Sequence, residues 1–161
     1  MRKLIGIAFL LVLISLAGAT SAQAGWVIEG SVGKGGRVNE PRGWEPTNVM
    51  LAPGYEVLGL LRPQLGIVGD LGDVKNSKFD LQLRPMLGIY PPIFPIYARA
   101  IFAVENLLHT AHYAVGGAVG FKIGLPLIGL DIFAEGGVLP RFQNSATQTV
   151  VEGRVGAFWL F

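Results

Sequence analysis

Val150-Val151-Glu152-Gly153-Arg154-Val155-Gly156-Ala157-Phe158-Trp159-Leu160-Phe161 closes the chain. Counting back from Phe161, one face carries Phe161, Trp159, Ala157, Val155, Gly153 and Val151. The other carries Phe158, Gly156, Arg154, Glu152 and Val150. Successive side chains of a strand point to opposite sides, so this is a strand with one apolar face and one ionic face. Two neighbours repeat the pattern. Leu130, Ile132, Ala134 and Val138 alternate with Asp131, Phe133, Glu135 and Arg141, and Phe79, Leu81, Leu83 and Leu87 alternate with Lys78, Asp80, Gln82 and Arg84. A soluble sandwich alternates in the same way, so periodicity alone does not separate it from a membrane barrel.

Extending the alternation backwards yields eight segments: 26–35, 48–57, 61–71, 78–90, 96–105, 113–125, 128–141 and 148–161. Each has about the ten residues that a tilted membrane-spanning strand needs. Longer, more polar connections (36–47, 72–77, 106–112 and 142–147) alternate with short ones (58–60, 91–95 and 126–127). That is the pattern of long outer loops and tight periplasmic turns, and it predicts an all-β, eight-stranded antiparallel up-and-down transmembrane β-barrel. Pro53, Pro63, Pro85 and Pro140 fall inside the strands. Each lacks a ladder donor and predicts a bulge or a strand end.

The other terminus carries an export signal. Met1-Arg2-Lys3 is a positive n-region, Leu4 to Ala17 is nearly all apolar, and Ala22-Gln23-Ala24 fits an A-x-A cleavage site. We expect a signal peptide over residues 1–24 and a single barrel domain over 25–161. Losing Arg2 and Lys3 lowers the 13 basic residues to 11, equal to the 11 acidic ones. A neutral domain without a clustered basic footprint gives no reason to expect nucleic acid. The absence of cysteine excludes disulfides and thiolate metal sites. The most apolar later segment, 86–104, is broken by Pro91, Pro92, Pro95 and Arg99, which rules out a spanning helix there. A closed barrel is the other way to satisfy a backbone in lipid.

Strand charges fall on one face, with Lys34 as the exception near a strand end. Aromatic residues gather at the two expected interfaces: Trp26, Tyr90, Tyr97, Trp159 and Phe161 on the periplasmic side, Trp44, Phe79, Tyr113 and Phe142 towards the outside. With these residues in view, the terminal strand resembles the C-terminal signature of bacterial outer-membrane barrels. The domain resembles the small eight-stranded barrels typified by the OmpA membrane domain and OmpX. The resemblance implies that Phe161, with Trp159, is the signal read by the barrel-assembly machinery of a Gram-negative cell envelope.

The inward face collects Glu29, Glu56, Arg62, Asp70, Lys78, Asp80, Arg84, Arg99, Glu105, Lys122, Asp131, Glu135, Arg141, Glu152 and Arg154. Eight strands enclose a space that side chains can fill, and buried ions need partners. We therefore expect a charge network that plugs the lumen. Inward Gly33, Gly66, Gly116 and Gly120 make room for long side chains. Loop residues Arg37, Arg42 and Trp44 are candidates to meet lipopolysaccharide, since Arg favours phosphate.

Chemistry is sparse. His109 and His112 sit three apart in a loop, short of the three or four ligands that a metal needs. A lipid-A-modifying enzyme would pair one of them with Ser77 or Ser145. The run Gly30-Ser31-Val32-Gly33-Lys34-Gly35-Gly36 lacks the Ser/Thr and helix of a phosphate loop and reads as a strand end and turn. The expectation is a monomeric, non-enzymatic outer-membrane protein without a cofactor, with a structural or surface-interaction role among lipid and lipopolysaccharide. A lipid-modifying enzyme, a small pore (a porin-like fold that conducts) and a periplasmic ligand-binding barrel are the alternatives.

Overall fold

The computed structural model describes residues 25–39, 41–71, 80–125, 129–143 and 146–161. The expected leader, Lys78, Phe79, Ser77, Ser145 and the 126–127 turn lie outside these residues. The strands are β1 (Gly25–Arg37), β2 (Gly43–Trp44), β3 (Asn48–Glu56), β4 (Leu61–Asp70), β5 (Leu81–Ile89), β6 (Ile96–Glu105), β7 (His112–Leu125), β8 (Leu130–Gln143) and β9 (Ala146–Leu160). β2 is a two-residue addition that pairs only with β1. The eight long strands are antiparallel neighbours in chain order, and β1 pairs with β9 to close the barrel. Closure reaches the last residue: the Phe161 and Trp26 backbones exchange hydrogen bonds of 3.1 and 3.0 Å.

The register also fixes the stagger. A path across the strands from Val27 runs through Gly54, Gln64, Met86, Ile101, Gly116, Leu139 and Val150, and returns to β1 at Arg37, ten residues further on. Such a shear requires tilted strands, which carry inward residues from distant parts of the sequence to one level of the lumen.

β1 continues through Arg37, so Gly30–Gly36 is strand throughout and the turn expected there is absent. Alternation into β2 shortens the first outer loop and leaves Arg37 on a strand. The turn between β3 and β4 places Leu58 and Gly59 in the left-handed region, at φ 58° and 63°. Two such residues in succession match the twist of a tight hairpin. Gly59 adopts this freely, whereas a leucine there is strained.

The prolines correct a second expectation. All four point outward, and none makes a bulge. Pro53 keeps its place opposite Ile28, Pro63 opposite Leu87, Pro85 opposite Leu65 and Pro140 opposite Thr149. On the other side the ladder skips a step and resumes in the same register, as between Leu83–Val104 and Met86–Ile101. The missing N–H removes a hydrogen bond without adding a residue. Pro85→Val is expected to restore that donor opposite β6 and stabilise the refolded barrel by about 0.5–1.5 kcal/mol, read as a higher urea midpoint.

The outer surface is apolar, with Leu51, Leu65, Ile67, Leu87, Val119, Ile132 and Val155 among its exposed residues. Inside lie two apolar clusters. Val27, Tyr90, Tyr97, Phe133 and Phe158 fill the turn end. Met50, Ala52, Val68, Met86, Ile101, Ala103, Ala114, Ala118 and Leu139 form the other.

Candidate functional site

Alternation puts the ionic faces of all eight long strands into one narrow space, and the ions there resolve into four linked groups. Nearest the turn end, Arg62 of β4 pairs with Glu56 of β3, while Asp131 lies 3.8 Å from Arg62 and accepts from Lys122 at 3.2 Å. The Arg62 guanidinium also covers the Tyr90 ring at 4.2 Å, a cation–π contact whose strength grows with desolvation.

Next comes Glu29, fully buried and held from three directions. Arg99 donates at 2.8 Å, Gln64 at 3.1 Å and Ser31 at 3.1 Å. Arg99 reaches across to Glu135 at 2.5 Å, and the Tyr97 hydroxyl donates to the same carboxylate at 2.9 Å. One arginine therefore serves two carboxylates, which is stable only because neutral donors fill the remaining acceptor sites.

Glu152 centres the third group. Arg84 donates to both of its oxygens at 3.0 Å and Arg154 pairs with it from two residues away. Arg154 extends to Asn48 at 2.6 Å and Ser31 at 3.1 Å, so the second and third groups share a hydroxyl. Gly33 makes this possible, because a Cβ there would stand 2.8 Å from the Arg154 guanidinium. Gly120 likewise yields its place to the Tyr97 ring.

The fourth group lines the loop-end mouth. Arg141 bridges Glu105 at 2.5 Å and Glu45 at 3.1 Å, and Arg37 also binds Glu45 at 3.1 Å. With Asp70, Asp80, His109 and His112 they surround an open cavity of about 530 Å³. Below it, Met50, Arg84, Ile101 and Leu139 line a cavity of only about 10 Å³. That is room for about one water. Beneath the open mouth, buried ions and aromatic rings fill the described lumen.

Several expected positions move. Arg37 is on a strand rather than in the outer loop, because β1 extends to it, and it faces into the mouth, ion-paired. Trp44 does stand at the rim, 78% exposed, with Lys34 5.5 Å over its ring. Lys34, the outward charge, thus rests on an aromatic face at the loop end. Arg42 is exposed. Tyr90 and Tyr97 are not girdle residues: they stack at 4.5 Å inside the lumen, nearly fully buried. Tyr97 shares the parity of Arg99, and that parity carried the information that aromatic type obscured. The neutral partners Ser31, Asn48, Gln64 and Gln82 carry no charge to single them out, and inward parity alone marks them. His112 Nδ1 lies 2.9 Å from the Thr110 carbonyl, and His109 borders the cavity. Among the described residues, no group of three His, Asp or Glu is placed to hold a metal.

Closed antiparallel topology, an apolar exterior and an ionic interior define the class: an eight-stranded β-barrel of transmembrane type. Solved structures share this fold, among them the following two. Neisserial surface protein A superposes with a TM-score of 0.52 at 11% identity, covering 83% of this chain and 94% of that one. A de novo designed transmembrane β-barrel gives 0.50 at 16%, covering 84% and 95%. No protein-family model and no curated protein sequence matches the chain.

Proposed function

We propose that the chain is a non-enzymatic integral outer-membrane protein, inserted as a monomer with its loop end outside, whose role is structural or surface interaction rather than conduction. The observation that supports this reading is the filled lumen: three linked ion groups and an aromatic cluster occupy it. The exposed Leu, Val, Ile and Phe residues supply the lipid-facing band. On this reading residues 1–24 are cleaved on export and the last strand, with Trp159 and Phe161, is presented to the assembly machinery. Trp44 and Arg42 at the rim meet lipopolysaccharide.

The test is a boiled-versus-unboiled gel shift on protein recovered from outer membranes, followed by planar-bilayer recording. A heat-sensitive band with no discrete conductance is expected. Soluble protein without a shift would sink the membrane reading, and regular channel steps would sink the filled lumen. Lipid A of unchanged mass on overexpression is the expected result for a protein without lipid-modifying activity.

A further inference from the structure

On the β3–β6 side the lipid-facing surface is short. Its outward residues run Val49–Val57, Leu61–Gly69, Leu81–Ile89 and Ile96–Val104, eight steps each. With a rise of about 3.3 Å and a tilt near 40°, eight steps give an apolar height of about 20 Å. An outer-membrane barrel presents a band of about 25 Å. The two ends of these strands are unlike. Towards the loops they meet Asp70, Asp80, Glu105 and Asn106, which line the open mouth, and the exposed Leu71, Leu107 and Leu108 stand beside these polar groups. Towards the turns they meet Leu58-Gly59-Leu60 and Pro91-Pro92-Ile93-Phe94-Pro95, with no charged or hydrogen-bonding side chain in either.

These turns are not folded inward. Ile93 is 70% exposed, Phe94 62% and Leu58 54%. Three prolines hold the Ile93–Phe94 knob, and Leu58 keeps a strained left-handed backbone where asparagine or glycine is the usual choice. They continue the band without a break through Tyr55, Ile89 and Ile96, all exposed.

We propose that the β3–β4 and β5–β6 turns are submerged in the turn-side leaflet, with Leu58, Ile93 and Phe94 in contact with phospholipid rather than standing clear in water. They supply the apolar height that the short strands lack, so the barrel is seated low at this side. This inference rests on the membrane reading above.

Because the chain has no cysteine, single-cysteine variants can be labelled cleanly. L58C and F94C, with L87C in the band and L108C in the β6–β7 outer loop, would each carry an environment-sensitive fluorophore. The proteins are refolded into phosphatidylcholine vesicles that contain spin-labelled phospholipid, or are exposed to iodide on both sides. We expect the dyes at 58 and 94 to be quenched several-fold more by lipid spin label than by iodide, and the dye at 108 to show the reverse. Iodide access at 58 and 94 with lipid quenching at 87 would overturn the proposal while keeping the barrel in the membrane, leaving the turns bare for a protein partner. Lipid quenching at 108 but not at 58 and 94 would also overturn it, placing the missing height at the loop end. Absence of lipid quenching at 87 would remove the membrane reading and this inference together.

Discussion

Arg99→Met is expected to cost about 3–5 kcal/mol of folding stability, the range for breaking a buried ion pair by removing one partner. The substitution keeps the length of the side chain and removes only its charge and donors. Two carboxylates then lose their counter-ion at once, since Arg99 lies 2.8 Å from Glu29 and 2.5 Å from Glu135. Glu29 keeps only the neutral donors Gln64 and Ser31. Glu135 keeps Tyr97 and a distant Arg154 at 4.0 Å. The measurement is the urea midpoint of protein refolded in detergent, read by the heat-sensitive gel band. The triple variant R99M/E29Q/E135Q removes the stranded charges and is expected to recover more than half of the loss. If the single and triple variants fall equally, packing rather than charge holds this level together.

Phe158→Ala is the second large effect, expected at about 3–5 kcal/mol, as for a buried phenylalanine whose cavity cannot collapse. The ring is fully buried at the turn end, stacked on Phe133 at 4.4 Å and set edge-on to Tyr90 at 5.4 Å and Tyr97 at 5.9 Å. Its surroundings belong to closed barrel strands, so they have little freedom to move in. The Arg62 and Arg99 guanidinium groups lie 5.2 and 6.0 Å from the ring and lose that face as well. Trp159→Ala next door is the informative control. Trp159 points outward and is exposed, so its loss should change refolded stability by less than about 1 kcal/mol. If Trp159 belongs to the assembly signal, the same variant should reach the outer membrane of cells poorly. Equal loss of refolded stability in both variants would contradict a plug specific to the lumen.

The two substitutions sit one residue apart on β9 yet face different media, and that difference was legible in the sequence. Period-2 alternation in Val150–Phe161 separates Phe158 from Trp159 whatever the rest of the chain does, because strand geometry fixes the side to which each points. The same rule assigns Glu29, Arg62, Arg84, Arg99, Glu135, Glu152 and Arg154 to the interior. It also assigns Tyr97, which aromatic content alone misplaces at the membrane interface. Alternation of long and short connections yields the strand count and order, since antiparallel neighbours joined in sequence leave few other arrangements.

Which interior residues meet is another matter. Arg99 and Glu29 are 70 residues apart, and Arg84 and Glu152 are 68 apart. Nothing local to either member names the other. Their meeting depends on the ten-residue stagger accumulated around eight strand pairs, and a one-residue slip at any pair would turn that strand's faces over. The persistence of β1 through Arg37 and the unbroken register past the prolines are likewise set by neighbouring strands. Their hydrogen bonds override a local preference to turn or bulge. The facing of each strand side chain is legible in the residues because it follows from the geometry of a single strand, and strand order is legible because it follows from the lengths of the connections. Which ions pair and how the inward rings stack on one another follow instead from shear, a property of the whole closed sheet.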